Sequence, residues 1–225
     1  MLTNTSFSGV GWARTTKPDQ ITMVTDWRST RSGISDREKA PSELSYDETG
    51  SVTQWGYGLE NDNDDDQRLK WFKLLLLEDN DQPPHLRNCE QLKKTREILQ
   101  QMNKSATDVV EDYLRALWNH ALESIEKNVG KRVITHSRFR VVMTLPAIWK
   151  DYAQNRMRRA AEAAGILKVR EAGRTELSFI TEPEAAAFAT LQDDFDRTDF
   201  KVREVHIYQQ IPAVNVLLAS WMTTW

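Results

Sequence analysis

The run Phe139-Arg140-Val141-Val142-Met143-Thr144-Leu145 stops at Pro146, and an alanine-rich segment from Trp149 to Ala164 follows, closed by Gly165. A second short run, Leu177-Ser178-Phe179-Ile180, leads into Thr181-Glu182-Pro183-Glu184 and then Ala185-Ala186-Ala187-Phe188-Ala189. These stretches read as strand, helix, strand, helix. The first strand has few polar residues, so it is expected inside a sheet and covered on both faces. In such units the loops leaving the carboxyl ends of the strands bring polar groups to a ligand. Pro146 and Glu182 both fall there. Pro183 suits the first helical position, where its missing N–H costs nothing. On spacing alone Glu182 reads as a carboxylate favoured by the helix dipole. In the intervening helix Tyr152, Ala153, Met157, Ala160 and Ala164 form the inward face. Arg156, Arg158 and Arg159 read as a solvated face rather than a phosphate site.

Upstream, Val109, Val110, Tyr113, Leu114, Leu117, Trp118, Ala121, Leu122 and Ile125 recur at three- and four-residue steps. This is the clearest amphipathic helix in the chain, with Ser105 to Asp108 as its capping box and Gly130 as its stop. Its apolar face is too broad for a coiled-coil seam, so it packs a core. Gln91 to Met102 is a second helix. Leu69 to Leu77, apolar apart from Lys70 and Lys73, is a short buried element that Pro83-Pro84 breaks. Asp62, Asp64 and Asp66 alternate as in a calcium loop, but Gln67 stands where that loop needs glycine and Lys73 where it needs glutamate. A solvated loop is expected there. The first sixty residues read as a small β-meander. A strand follows the hydroxyl-rich start, and Ile21 to Thr25 pairs with it across a turn near Lys17-Pro18-Asp19. Trp27 to Lys39 is a loop, and Glu43–Tyr46 and Val52–Trp55 form a hairpin around Asp47-Glu48-Thr49-Gly50.

The chain has 225 residues, 40% hydrophobic and 28% charged, with a net charge of -3. That balance argues against a nucleic-acid partner. The single cysteine, Cys89, excludes an intrachain disulfide and any multi-cysteine zinc site. The four histidines have no metal-ligand spacing, so no metal site is expected. There is no Walker loop, dinucleotide fingerprint or nucleophile elbow. No apolar run is long enough to span a membrane and no signal-peptide pattern opens the chain, so no membrane partner and a cytoplasmic location are expected.

Leu145-Pro146-Ala147 ahead of the alanine-rich helix, and then Phe179-Ile180-Thr181-Glu182-Pro183-Glu184-Ala185-Ala186-Ala187, resembles the ATPase domain of 70-kDa heat-shock proteins. Phe7-Ser8-Gly9-Val10, the helix around Tyr113-Leu114 and Trp55-Gly56 fit divergent members. The resemblance runs from about Thr5 to Thr190. It implies a ribonuclease H-like, actin-like ATPase lobe: an α/β fold with a mixed five-stranded sheet, flanking helices and a β-rich insertion before Leu69. It also implies ATP or ADP with magnesium as cofactor, and protein clients or co-chaperones as partners. Within it Thr5 and Ser6 match the threonine pair of the first phosphate loop, Glu182 matches the carboxylate that positions the attacking water, and Pro146 matches the proline that relays nucleotide state between lobes.

Several positions depart from the family pattern. Leu2 and Asn4 stand where the family's first strand carries an aspartate and a glycine. Its catalytic lysine aligns with Glu60, and its arginine after the proline aligns with Gln154, with Arg156 nearby. Where the second phosphate loop should follow Val205, the sequence reads Gln209-Gln210-Ile211-Pro212-Ala213-Val214. The expectation is an incomplete first lobe over residues 1–200, with a β-rich part at 1–60 and an α/β part at 105–192. Residues 201–225 would be an aberrant tail without structural account, from a shifted frame or retained intron after about His206. Its apolar stretch from Ile211 to Trp225 would be exposed. Three functions follow from this: an impaired ATP-binding chaperone-type domain, a non-enzymatic protein-binding module of the same fold, or a sugar kinase-like enzyme.

Overall fold

The computed structural model describes residues 7–30, 33–59, 68–195 and 213–221. The expected phosphate-loop pair Thr5 and Ser6, the acidic run 61–66, Glu60, and the expected strand at Val202–Tyr208 all lie outside the described residues.

The chain opens with antiparallel strands β1 (Phe7–Arg14) and β2 (Lys17–Met23). The turn between them falls at Thr15 and Thr16, two residues earlier than expected, because Pro18 is accommodated inside β2. Proline is tolerated on an edge strand, and every residue of β2 is exposed. The span from Trp27, read as a loop, instead holds the hairpin β3 (Asp26–Ser29) and β4 (Gly33–Asp36). Trp27 explains the difference. It is 1% exposed, donates its indole N–H to the Arg37 carbonyl at 2.6 Å, and stacks on His120 with ring centres 5.0 Å apart. Next come β5 (Lys39–Pro41), which pairs with the start of β1, and the expected hairpin β6 (Leu44–Tyr46) and β7 (Val52–Trp55).

A 3-10 turn at Phe72–Leu76 forms the short buried element. Pro84 starts a one-turn helix α1 (Pro84–Arg87) rather than ending order, and α2 (Glu90–Gln101) follows. Helix α3 (Ala106–Val129) has both halves of its capping box: the Ser105 hydroxyl accepts from the Asp108 N–H, and the Asp108 carboxylate accepts from the Ser105 N–H at 2.8 Å. Gly130, at φ 87°, ends it and leads into α4 (Lys131–His136). Then come β8 (Arg138–Leu145), α5 (Asp151–Ala163), β9 (Glu176–Thr181), α6 (Glu182–Phe195) and β10 (Ala213–Trp221).

The main sheet is mixed and six-stranded, in the order β2-β1-β10-β8-β9, with β5 sharing the outer edge of β1. It has one strand more than expected because β5 joins it. β10 lies antiparallel to β1 and parallel to β8, and β8 is parallel to β9. The stretch for which the sequence offered no place is therefore the middle strand, as its apolar run suits. β8 is central as expected, and its two faces are covered unequally: Phe139, Val141, Met143 and Leu145 are buried on one, while on the other Arg140 and Val142 are half-buried and Thr144 is buried. The fully buried face meets Tyr113, Leu117 and Trp118 of α3 and Met157 and Ala160 of α5 in one core. Among the described residues no helix is long and apolar enough to cross a membrane.

Candidate functional site

The register of β8 and β9 aligns Leu145 with Thr181. Both are the last residues of parallel strands, so Pro146 and Glu182 leave the sheet side by side. β1 begins at this same end, since Phe7 faces Trp221 at the close of β10.

Local hydrogen bonding decides what Glu182 is free to do. Thr181 is the cap of α6, and Glu184 is its reciprocal partner. The Thr181 N–H and hydroxyl donate to Glu184 Oε2 at 2.9 and 2.7 Å, and the Glu184 N–H returns to the Thr181 hydroxyl at 3.3 Å. Those bonds hold the Glu184 carboxyl below its ordinary value. Glu184 thus does the helix-start work that spacing alone assigned to Glu182. Pro183, one place later in the helix than expected, still withholds an N–H that needs no partner. Glu182 turns inward instead. Among the described residues its Oε1 is buried without a hydrogen-bond partner, and burial pushes its carboxyl above the ordinary 4.5, with Lys73 drawing it partly back.

Lys73 is the other half of the site. It sits in the 3-10 turn at Phe72–Leu76, is 8% exposed, and among the described residues its Nζ also has no hydrogen-bond partner. The ammonium lies 5.4 Å from the ring centre of buried Trp149. Burial pulls its pKa from 10.5 to about 8, against the opposing charge of Glu182. The loop after β8 supplies that ring: the Trp149 N–H bonds the Pro146 carbonyl at 3.1 Å. A buried ammonium and a buried carboxylate oxygen feel each other's charge but do not hydrogen bond. Such groups are normally satisfied. Together they can donate to an anion and accept from water or a cation.

The sequence placed the family's lysine at Glu60 and gave Lys73 no role. Its one signal was a cation inside the run Trp71-Phe72-Lys73-Leu74-Leu75-Leu76-Leu77, where an unpaired charge is rarely buried without purpose. The arginines do not form one site. Arg156 donates to the Leu76 carbonyl at 2.7 Å and lies over Tyr152, while Arg158 lies over Phe179. Gln154 donates to the Trp149 carbonyl at 3.3 Å, which steadies the loop. Among the described residues no three His, Cys, Asp or Glu side chains are grouped to hold a metal ion. Cys89 is half-buried, disulfide-free, and packs beside Leu74, Leu86 and Leu92.

No family model matches the chain. Two Homo sapiens proteins are similar to it over most of its length. Heat shock 70 kDa protein 12B is 28% identical over 191 residues, and heat shock 70 kDa protein 12A is 25% identical over 188. Each similarity takes in 81% of this chain and 26% of the relative, so the chain spans about a quarter of the length of these curated relatives. The chain is thus distantly related to proteins of the 70-kDa heat-shock type.

Proposed function

We propose that the chain forms a ribonuclease H-like lobe of a heat-shock-70-type ATPase, and that Lys73, Glu182 and the Pro146 loop are its phosphate-binding end. The observation that carries this reading is the buried pair Lys73 Nζ, in the 3-10 turn, and Glu182 Oε1, just past the end of β9, which feel each other's charge and among the described residues have no hydrogen-bond partner. The mixed sheet order supports the fold, and the similarity to the two human heat-shock proteins supports the ligand class. The ligand is an adenine nucleotide with magnesium. Magnesium is held in such sites by one or two carboxylates plus the phosphates themselves, so a single acidic residue fits it. Lys73 would donate to phosphate oxygens, and Glu182 would accept a hydrogen bond from water near the metal. Thr5 and Ser6 would add donors beside the start of β1, and Pro146, hydrogen bonded through its carbonyl to Trp149, would couple occupancy to the half-buried loop. Protein clients or co-chaperones are the partners this reading implies.

Calorimetry of the chain with MgATP tests it. Micromolar binding that Lys73→Met abolishes supports the reading, and silence removes it. A second reading, a protein-binding module of the same fold, has its own observation: Ile148, in the loop after β8, and Phe188, on α6, are 70% and 61% exposed. Calorimetric silence would favour that reading.

A further inference from the structure

Lys73 does not hold its own place. Its Nζ has no hydrogen-bond partner among the described residues, and the 3-10 turn that carries it is five residues long. Turns of this kind have poor hydrogen-bond geometry and no extended ladder to fix them. This one is entered through Trp71 at φ 59°, a costly conformation for a bulky residue. What sets the ammonium 5.4 Å from the centre of the Trp149 ring must therefore come from outside the turn.

The chain just after the turn is fastened to the start of α5. Arg156 donates to the Leu76 carbonyl at 2.7 Å. The Tyr152 hydroxyl accepts from the Glu78 N–H at 3.0 Å and donates to Asp81 Oδ2 at 2.7 Å. Lys150 donates to Asp81 Oδ1, also at 2.7 Å. Both Asp81 oxygens are thus engaged, by the residues on either side of Asp151, the first of α5. Tyr152 both accepts and donates, as a hydroxyl can and an ammonium or guanidinium cannot. From the other side Arg96 of α2 donates to Asp79 Oδ1 and Gln82 Oε1, each at 2.9 Å. Residues 76–82 therefore bridge α2 to the start of α5, and Trp149 stands one residue before Lys150. The clasp joins the segment that follows the ammonium to the loop that carries the ring.

Little stability is at stake in these bonds. The Lys150 side chain is 64% exposed, and ion pairs in that setting contribute little. Several bonds converging on one short segment fix its position instead. We propose that Asp81 and Tyr152 are positioning residues: through them the start of α5 holds the Lys73 turn so that its ammonium rests by Trp149 and within the field of Glu182. Breaking the clasp lets the turn draw away from the ring, and the ammonium regains water. The placement of the lysine stands by itself, whereas any consequence for MgATP rests on the phosphate-site reading.

The test follows the full chain, carrying isotope-labelled lysine, by NMR. The Lys73 ε-methylene signal is the one missing from Lys73→Met. In the wild type the Trp149 ring shifts that signal upfield, and it titrates near the depressed value of about 8. Tyr152→Phe keeps the ring beneath Arg156 and removes only the hydroxyl. Asp81→Ala removes the acceptor of both donors. Each is expected to move the signal back downfield and to raise its midpoint by about one pH unit or more toward 10.5. The sign separates displacement from charge loss, because removing a carboxylate can by its field only lower an ammonium's pKa. Tm should change by no more than about 4 °C. Arg28→Ala breaks the exposed Arg28–Glu123 pair elsewhere and should leave the Lys73 signal as in the wild type. The proposal is overturned if both clasp variants keep the wild-type signal and midpoint, if the midpoint falls, or if Arg28→Ala moves it equally. Calorimetry on the same variants should show MgATP affinity lower by about tenfold or more, the size of a lost charged hydrogen bond. A wild type silent toward MgATP removes the phosphate-site reading and leaves the clasp to be judged by the NMR result.

Discussion

Lys73→Met tests the site through two readouts that a structural lysine would not move in opposite directions. The lysine is buried and its pKa is drawn from 10.5 to about 8. At about 1.4 kcal/mol per pH unit, keeping it charged in the folded chain at pH 7 costs about 3 kcal/mol. Methionine has a similar reach and no charge to desolvate, so the variant recovers most of that cost. Part is offset because Glu182 loses the cation that draws its carboxyl down. The expected net gain is about 1–2 kcal/mol, or roughly 2–8 °C in Tm for a chain of this size. The sign is checked by pH. Between about 8 and 10.5 the unfolded chain holds the Lys73 proton and the folded chain has lost it, so wild-type stability rises across that window. The variant lacks that rise, and its advantage disappears above pH 10.5. Urea unfolding at pH 7, 9 and 10.5 measures the difference, and calorimetry with MgATP follows binding. A more stable protein that has lost its phosphate ligand is the mark of a residue retained for function. A variant that is destabilised at pH 7, or binds nucleotide as wild type does, would refute the reasoning.

Glu182→Gln should also be modestly more stable at neutral pH. The folded carboxyl titrates above 4.5, so the folded chain binds the extra proton just above that pH and wild-type stability falls as pH rises through the window; urea unfolding of the glutamine variant should show no such fall. His120 is buried on Trp27, and burial pulls its pKa below 6.5 although Asp26 and Glu123 oppose this; Lys127 and Arg28 act with burial. The unfolded chain therefore takes the proton first as pH falls below 6.5, and stability is lost from there downward. His120→Leu should flatten that acid limb when unfolding is followed by tryptophan fluorescence. Ser105→Ala removes the acceptor for the Asp108 N–H at the head of α3 and should cost about 1 kcal/mol in chemical denaturation.

The elements that sequence located best were those whose signal is local. The α3 pattern, its cap at Ser105 and its stop at Gly130 depend on spacing within one helix, and all appear where the periodicity put them. The hairpin at Asp47 to Gly50 is equally local: the Asp47 carboxylate accepts from the Thr49 and Ser51 N–H groups at 2.8 and 3.0 Å. The hairpin starting at Asp26 escaped because its stabilising contacts are distant. Trp27 is held by His120 and Trp55, and Asp26 by Lys127 at 2.8 Å, none of which a window on residues 26–36 contains. β10 escaped for the same reason. Its direction and place are set by edges at β1 and β8, whose register partners lie at least two hundred residues away (Phe7 with Trp221) and seventy-five residues away (Met143 with Leu218), and a short apolar run says nothing about which edges it will find.

The candidate site divides along the same line. The side-by-side exit of Pro146 and Glu182 follows from two consecutive parallel strands of matched length, so it was legible. Lys73 was not, because neither spacing nor motif links residue 73 to residue 182. What links them is the 3-10 turn packing against α3 and α5, the helix that follows Trp149. Nor could spacing say which glutamate of Glu182-Pro183-Glu184 caps the helix. One carboxylate satisfies the Thr181 cap, and a second in the same turn has no further local donor. Glu184 sits three residues past Thr181, the distance at which a side chain can return to the cap N–H. Glu182 is adjacent to the cap and too near to do so. The capping geometry therefore commits Glu184 and releases Glu182 toward the cleft, where Lys73 feels its charge. A carboxylate freed in this way, opposite an ammonium that also lacks a partner, keeps two buried groups unsatisfied at a cost in stability. A fold that needed only the helix start would not retain that cost, since Glu184 alone supplies the start.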